Sequence, residues 1–322
     1  MSATTITPRA PRRTLGLHRL AEQWLEWLQA SGRAKNTILA YRRDLGQLVG
    51  HCAAEGVTTL DQLGRSTVER YLIALRDGEG NCPRTVNRKL QVVRGLLGYA
   101  REHGICDHAW VNGIRVRWQA PRVIAPPHEA LMRLIGGIDA STWIGARDRA
   151  MFLLMYDAAL RVSDVLALDV ADPDAPTQHC VQPDQRCVYH HNKGGRTEIS
   201  AITSDDTLAA LTAWQAVRCD APKVSRGGPL FVGRGGRRLS RVAVSQRLAG
   251  HANRACVVGV TTHSFKHARA RDVYQQTRDI RLTQLAAKHK HAATTLGIYG
   301  HLDQEQQLRQ LRDAAPLGGG AA

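Results

Sequence analysis

The chain has 322 residues, 43% of them hydrophobic, enough for one large domain or two ordinary ones around a real core. Its 44 lysines and arginines against 28 acidic residues leave a net charge of +16, which points to a polyanionic partner, most simply nucleic acid; an arginine-rich protein from a high-GC genome is the plainer alternative. Seven cysteines, an odd number with no CxxC pair, argue against a disulfide framework or a zinc site, and no stretch approaches the roughly 20 apolar residues of a membrane span, so a cytoplasmic protein with no membrane partner is expected.

Residues 1–13 read as a disordered basic arm. A helix follows, with Leu17, Leu20, Ala21, Trp24, Leu25 and Leu28 on one face. The next segment, SGRAKNTILAYRRDLGQLVGHC, opens on turn residues, with Asn36 and Thr37 as candidate caps and Ile38, Tyr41, Leu45 and Leu48 on its apolar face. STVERYLIALRDG reads as a third helix and CPRTVNRKLQVVRGLLGYAREHG as a fourth. Residues 14–117 are thus expected to form a small all-α bundle with basic outer faces. Its candidate DNA contacts are Lys35, Arg42 and Arg43 on the second helix and Arg84, Arg88 and Lys89 on the fourth.

Prolines at 121, 126 and 127 mark a linker over 118–128. The remainder, 129–315, reads as mixed. GARDRAMFLLMYDAALRVSDVLAL predicts a buried helix, a turn near Arg161, and a short helix capped by Ser163. RCVYHHNKGGRTEISAI predicts a β-hairpin, since NKGGR is a strong turn signal between β-leaning arms. Helical patterns return in SRVAVSQRLAGHANRACV, in THSFKHARARDVYQQT and in the segment from Ile280, with a short terminal helix over 303–313 and a flexible tail over 316–322. The fold class is therefore mainly α with a small β-sheet: a helical N-terminal domain and a mixed α+β domain.

Breaking a nucleic-acid backbone requires fixed cations for the charge on the phosphate oxygens, a nucleophile, and a proton for the leaving oxygen. The chain has no acidic cluster suited to Mg²⁺, so no metal or cofactor is expected and side chains alone must suffice. Arg161 interrupts an apolar run, with Asp164 as the partner that a buried arginine needs. Lys193 sits at the tip of the glycine-rich hairpin, His263 and Lys266 share one helix face, and His289 and Tyr299 follow near the C-terminus. Each has an ordinary structural explanation: a salt bridge, a solvated turn lysine, a basic surface helix, a packing tyrosine.

Taken in order, these segments resemble the tyrosine recombinase, or phage integrase, family. ALRVSDVLAL stands where that family has a GLRxSEL-like turn, NKGGR where it has its hairpin lysine, and HSFKH where it has HxLRH. KH stands for GH, and TTLGIYGHL for TTxxxYxH. NTILAYRRDL and RTVNRKLQVVRGLLGYAREHG also look like the family's SAM-like core-binding domain, so the resemblance covers about 15–313.

The resemblance implies roles. Tyr299 attacks the scissile phosphate, forms a 3′-phosphotyrosyl bond and releases a 5′-hydroxyl. Arg161 and Lys266 clamp the non-bridging oxygens, His263 takes the tyrosine proton or hydrogen-bonds the phosphate, and His289 adds a further hydrogen bond. His291 is then a surface or backbone contact. Lys193 protonates the leaving oxygen, and Asp164 holds Arg161. The implied partner is double-stranded DNA with paired recombination sites. By analogy the chain acts as a homo-oligomer, a tetramer on DNA, and accessory DNA-binding proteins have a place in some such systems.

Two departures stand out. Lys266 replaces an arginine and loses its planar two-pronged contact. Lys288 replaces a glycine and adds charge where the backbone is tight. The expected function is site-specific recombination for a mobile element: integration, excision or cointegrate resolution. The alternatives are a catalytically weakened accessory DNA-binding protein on the same fold and a strand-swivelling topoisomerase.

Overall fold

The computed structural model describes residues 15–117, 126–171, 179–191, 197–220, 224, 227–288 and 295. The arm over 1–13, most of the linker, the hairpin tip with Lys193, the segment with His289, His291 and Tyr299, the helix expected over 303–313 and the tail lie outside the described residues. Contacts divide the chain into two units, Met1–Pro121 and Arg122–Ala322.

The first unit is built on α1 (Leu17–Ala30), α2 (Lys35–Ala54), α3 (Arg65–Ile73), which runs on into a π-helical turn at Ala74–Gly78, and α4 (Pro83–Glu102). All six apolar positions expected on the first helix face are buried. They meet Leu45 and Leu48 of α2 and Leu90, Val93 and Leu97 of α4 in one core. Each buried leucine or valine among them contributes about 1.5–3 kcal/mol when taken out of water. Pro83 opens α4, where its missing N–H costs nothing and its fixed φ suits the first turn. Trp24 stacks on Tyr41 with ring centroids 5.5 Å apart. The same indole lies so close to α4 that a Cβ at Gly95 would stand 2.5 Å from it.

Two sequence expectations change here. Asn36 and Thr37 do not cap α2: the helix begins at Lys35, Ala34 holds the cap position, and no side chain caps it. Lys89 does not lie on a basic outer face. It is 5% exposed, its ammonium donates to Gln47, and Glu79 stands 3.7 Å away, because position 89 falls on the side of α4 that meets α2. Lys35, Arg42, Arg43, Arg84 and Arg88 are exposed. Arg42 pairs with Glu22 at 3.1 Å, and Arg88 grips the buried Asp44 with both terminal nitrogens.

The second unit starts with α5 (His128–Gly136) and centres on α6 (Trp143–Asp157), a helix buried on nearly every side. Phe152 of α6 stacks on Phe265 at 5.5 Å. After α6 come α7 (Val162–Ala167) and a three-stranded antiparallel sheet, β1 (Val181–Gln182), β2 (Cys187–His191) and β3 (Thr197–Ala201), in spatial order β1-β2-β3. The expected hairpin is therefore present, with β1 added at its edge. Its register pairs Val188 with Ser200 and His190 with Glu198. Those four side chains share one face of the hairpin, because alternate residues along a strand point the same way.

The unit continues with α8 (Asp205–Val217), α9 (Arg241–Arg254), α10 (Ser264–Thr277) and α11 (Ile280–Ala287). Sequence patterning marks no helix over 205–217. It forms there because Leu211 and Trp214 enter the core and Asp157 accepts the N–H groups of Thr203 (3.0 Å) and Ser204 (2.9 Å) at its start. Nor does Ser163 cap α7. Arg161 occupies the cap position, and the Asp164 carboxylate accepts its backbone N–H.

Candidate active site

Four of the expected site residues fall within the described part of the second unit: Arg161, Asp164, His263 and Lys266. Two helix starts place them. The chain leaves α6 through a left-handed Ala159 (φ 48) and sets Arg161 at the head of α7. Arg161 is not the buried arginine that the apolar run suggested. Its side chain is 44% exposed, because the sharp turn after α6 directs it out of the core. Asp164, one turn on, accepts the Arg161 N–H at 3.1 Å and stands 3.9 Å from the guanidinium. It fixes the backbone of Arg161 and opposes its charge at the same time.

His263 occupies the cap position of α10 and Lys266 lies in its first turn. His263 is exposed at one edge and packs edge-on against His267, with centroids 4.7 Å apart. Desolvation of its inner side, then the charges of Lys266 and Arg161, pull its pKa below the ordinary imidazole value. The ring is therefore neutral near pH 7 and able to take a proton. Lys266 is 3% exposed, and its ammonium has no hydrogen-bond partner among the described residues. Burial and the Arg161 charge bring it down to about 8, against the opposing pull of Asp164 and Glu198. An ammonium taken out of water with no acceptor is a costly arrangement, and an incoming anion would satisfy it.

Sequence reasoning left three groups out of the site. Lys288, flagged only as an odd replacement for glycine, ends α11 in the left-handed conformation, φ 49 and ψ 45, at a cost of about 1–2 kcal/mol for a residue with a Cβ. Its ammonium turns inward, donates to Ser200 Oγ and lies 3.1 Å from His190 Nε2. Desolvation, then the Lys266 charge, bring it to about 7, with Asp164 and Glu198 pulling the other way and Arg161 adding repulsion. His190 and Ser200 themselves, 2.8 Å apart, are 1% and 6% exposed. The strand alternation that puts them beside the buried Val188 was the available signal.

Lys193, His289 and Tyr299 lie outside the described residues, but Thr295, in the Thr-Thr pair before Tyr299, is helical and fully buried. Among the described residues no three His, Cys, Asp or Glu side chains stand together as a metal set, and no helix is long and apolar enough to cross a membrane. What is present is a cluster of cations. Arg161, Lys266 and Lys288 share one electrostatic field, tempered by Asp164 and Glu198, and the His263 imidazole lies within reach of the Lys266 and Arg161 charges.

Comparison with known proteins identifies the family. The phage integrase family matches residues 128–306, and the phage integrase N-terminal SAM-like domain matches 21–104. Tyrosine recombinase XerC of Pseudomonas entomophila is 31% identical over 290 residues, covering 89% of this chain and 91% of that protein. XerC of Azotobacter vinelandii is 31% identical over 285 residues, covering 88% and 90%.

Among solved structures, the Tn1549 transposon integrase in complex with a circular intermediate DNA has a TM-score of 0.68 at 14% identity, over 92% of this chain and 99% of that one. The XerH site-specific recombinase bound to palindromic difH substrate has a TM-score of 0.67 at 16% identity, over 96% and 100%. These two likenesses speak for the fold. With one family covering more than half of its length and relatives at this identity over nearly all of it, the chain belongs to the phage integrase family of tyrosine recombinases, enzymes of site-specific recombination that break and rejoin DNA.

Proposed function

We propose that the chain cuts duplex DNA through a 3′-phosphotyrosyl intermediate made by Tyr299, in the service of a mobile element that integrates, excises or resolves. The observation that carries this reading is the Lys266 ammonium, 3% exposed and without a hydrogen-bond partner among the described residues, in the same field as Arg161 and His263. A phosphodiester supplies the missing acceptor.

In this reading the Tyr299 phenol oxygen bonds to phosphorus and the bond to the 5′-oxygen breaks. His263, neutral near pH 7, takes the phenolic proton. Lys193 gives a proton to the leaving 5′-oxygen. Arg161 and Lys266 hold the non-bridging oxygens as charge builds there. His289 adds a hydrogen bond to the phosphate, and Asp164 keeps Arg161 in place. Because the phosphodiester is conserved as a tyrosyl ester, reversal of the same steps rejoins the strand.

The first unit, over roughly 14–117, is a DNA-binding domain, joined by the linker over 118–128 to the catalytic region over 129–315. Lys35, Arg42, Arg43, Arg84 and Arg88 are its phosphate contacts; Lys89 is withdrawn from that set by its burial. Paired sites and a tetramer on DNA complete the assembly by analogy.

A duplex nicked close to the cleavage position tests the reading, because the short fragment diffuses away and traps the adduct. The expected result is a covalent protein–DNA band that is lost in Tyr299→Phe. A wild-type protein that binds the duplex and yields no adduct would overturn it and leave an accessory DNA-binding role.

A further inference from the structure

The cationic cluster holds one lysine that the phosphate clamp does not use. Lys288 closes α11 on a left-handed backbone that few residues other than glycine adopt. Its side chain turns back to donate to Ser200 Oγ, with His190 Nε2 at 3.1 Å. His190 belongs to β2 and Ser200 to β3, and their side chains are themselves 2.8 Å apart. A single ammonium thus joins the end of one helix to both strands that flank Lys193 in the sequence, immediately before His289 in the chain. A strained backbone position and a desolvated charge are both unfavourable to folding, and such costs concentrate where a site needs the geometry they hold.

We infer that Lys288 is a positioning residue of the strand-cleavage site, its protonated ammonium pinning both arms of the β2–β3 hairpin to the end of α11. The inference rests on the phosphate-site reading above. Charge-assisted hydrogen bonds are about twice as strong as neutral ones, so losing the proton loosens the pin. Lys288 stands at about 7, because desolvation and the Lys266 charge oppose its proton. The groups that face it are Arg161 and Asp164 from the head of α7, His190 from β2, Glu198 from β3 and Lys266 from α10, with His263 in the same field of Lys266 and Arg161. The ammonium is charged below about 7 and neutral above it, so the pin holds at lower pH and slackens as pH rises.

Two measurements on the full chain decide the matter. The first is single-turnover cleavage of the nicked duplex at subsaturating DNA, for wild type, Lys288→Met and Lys288→Gly, between about pH 6 and about pH 9, where the apparent second-order rate reports groups of the free protein. Wild type is expected to fall through a limb near 7 that both variants lack. The variants cleave about 10-fold more slowly at the acidic end and converge with wild type at the alkaline end. Lys288→Gly also melts at a higher temperature than wild type while cleaving as slowly as Lys288→Met, a combination that a merely structural lysine does not give. Variants that match wild type at every pH, or that keep the limb, overturn the inference.

The second measurement is amide hydrogen exchange of the Cys187–Ala201 strands without DNA. Faster exchange in Lys288→Met near pH 6 supports the pin, and unchanged exchange overturns it. Because no DNA is cut in this experiment, it reads the pin even if Tyr299 proves not to be the nucleophile.

Discussion

The Asp164 carboxylate accepts the backbone N–H of Arg161 at 3.1 Å while standing 3.9 Å from the guanidinium of the same residue. One side chain thus caps α7 and orients the cation at its head. The two duties separate by substitution. Asp164→Asn keeps an acceptor for the N–H and loses the charge, whereas Asp164→Ala loses both. Asp164→Ala should cost about 0.5–2 kcal/mol of stability and Asp164→Asn less, read from thermal or urea unfolding. Both should slow cleavage of the nicked duplex. Equal stability loss in the two variants would place the stabilisation in the charge and remove the capping role.

Lys266→Ala should lower the rate of adduct formation about 10²–10³-fold, the scale on which single transition-state contacts act, with DNA affinity changed only a few-fold in a mobility-shift assay. Lys266→Arg should retain or raise activity, since guanidinium restores the planar contact. Normal cleavage by Lys266→Ala would assign the clamp to another cation.

The same lysine makes a stability prediction with a definite sign. Its folded pKa, about 8, lies below the unfolded model value of 10.5, so the native state binds fewer protons between the two. The penalty is fully present below about 8 and is relieved as pH rises towards 10.5. Lys288, at about 7 against the same unfolded value, acts in the same direction. Wild type should therefore gain stability across that window. Lys266→Met should unfold at a higher temperature than wild type near neutrality and show a flatter profile. A wild-type profile that falls from about 8 to about 10 would contradict the burial of these ammoniums.

On the first unit, exposed and buried cations should part company. Arg84→Ala or Arg43→Ala removes one phosphate contact and should reduce the slope of log affinity against log salt by about 0.9 each, with little effect on melting. Lys89→Ala breaks the contact with Gln47 inside the bundle and should lower the melting temperature while leaving the salt slope unchanged. A salt-slope change in Lys89→Ala would return that lysine to the DNA face.

Gly95 tests the packing of the same bundle. A methyl at this position would stand 2.5 Å from the Trp24 ring, closer than atoms approach. Gly95→Ala should destabilise by about 1–3 kcal/mol in spite of alanine's better helix propensity, because Trp24 must shift away from its stack on Tyr41. A stabilised Gly95→Ala would show that the indole yields freely.

What the chain disclosed by itself were relations between near neighbours. The stripe from Leu17 to Leu28 announced a helix face, because apolar residues three and four apart must lie together on a helix. The turn residues between β-leaning arms announced the hairpin, and the spacing from Arg161 to Asp164 announced a partnership within one turn. Ordered motifs then carried the family. Folding alone could decide which groups meet from far apart. Lys288 reaches Ser200 and His190 across 88 and 98 positions of sequence, and Arg88 reaches Asp44 across 44. Such meetings also set burial: Lys89 and Arg88 are adjacent in sequence, yet one faces Gln47 within the bundle and the other opens to water. Charge count and periodicity read the same for a solvated lysine as for one stripped of water. The difference lies in the packing that removes the water, and that packing exists only once the helices have come together.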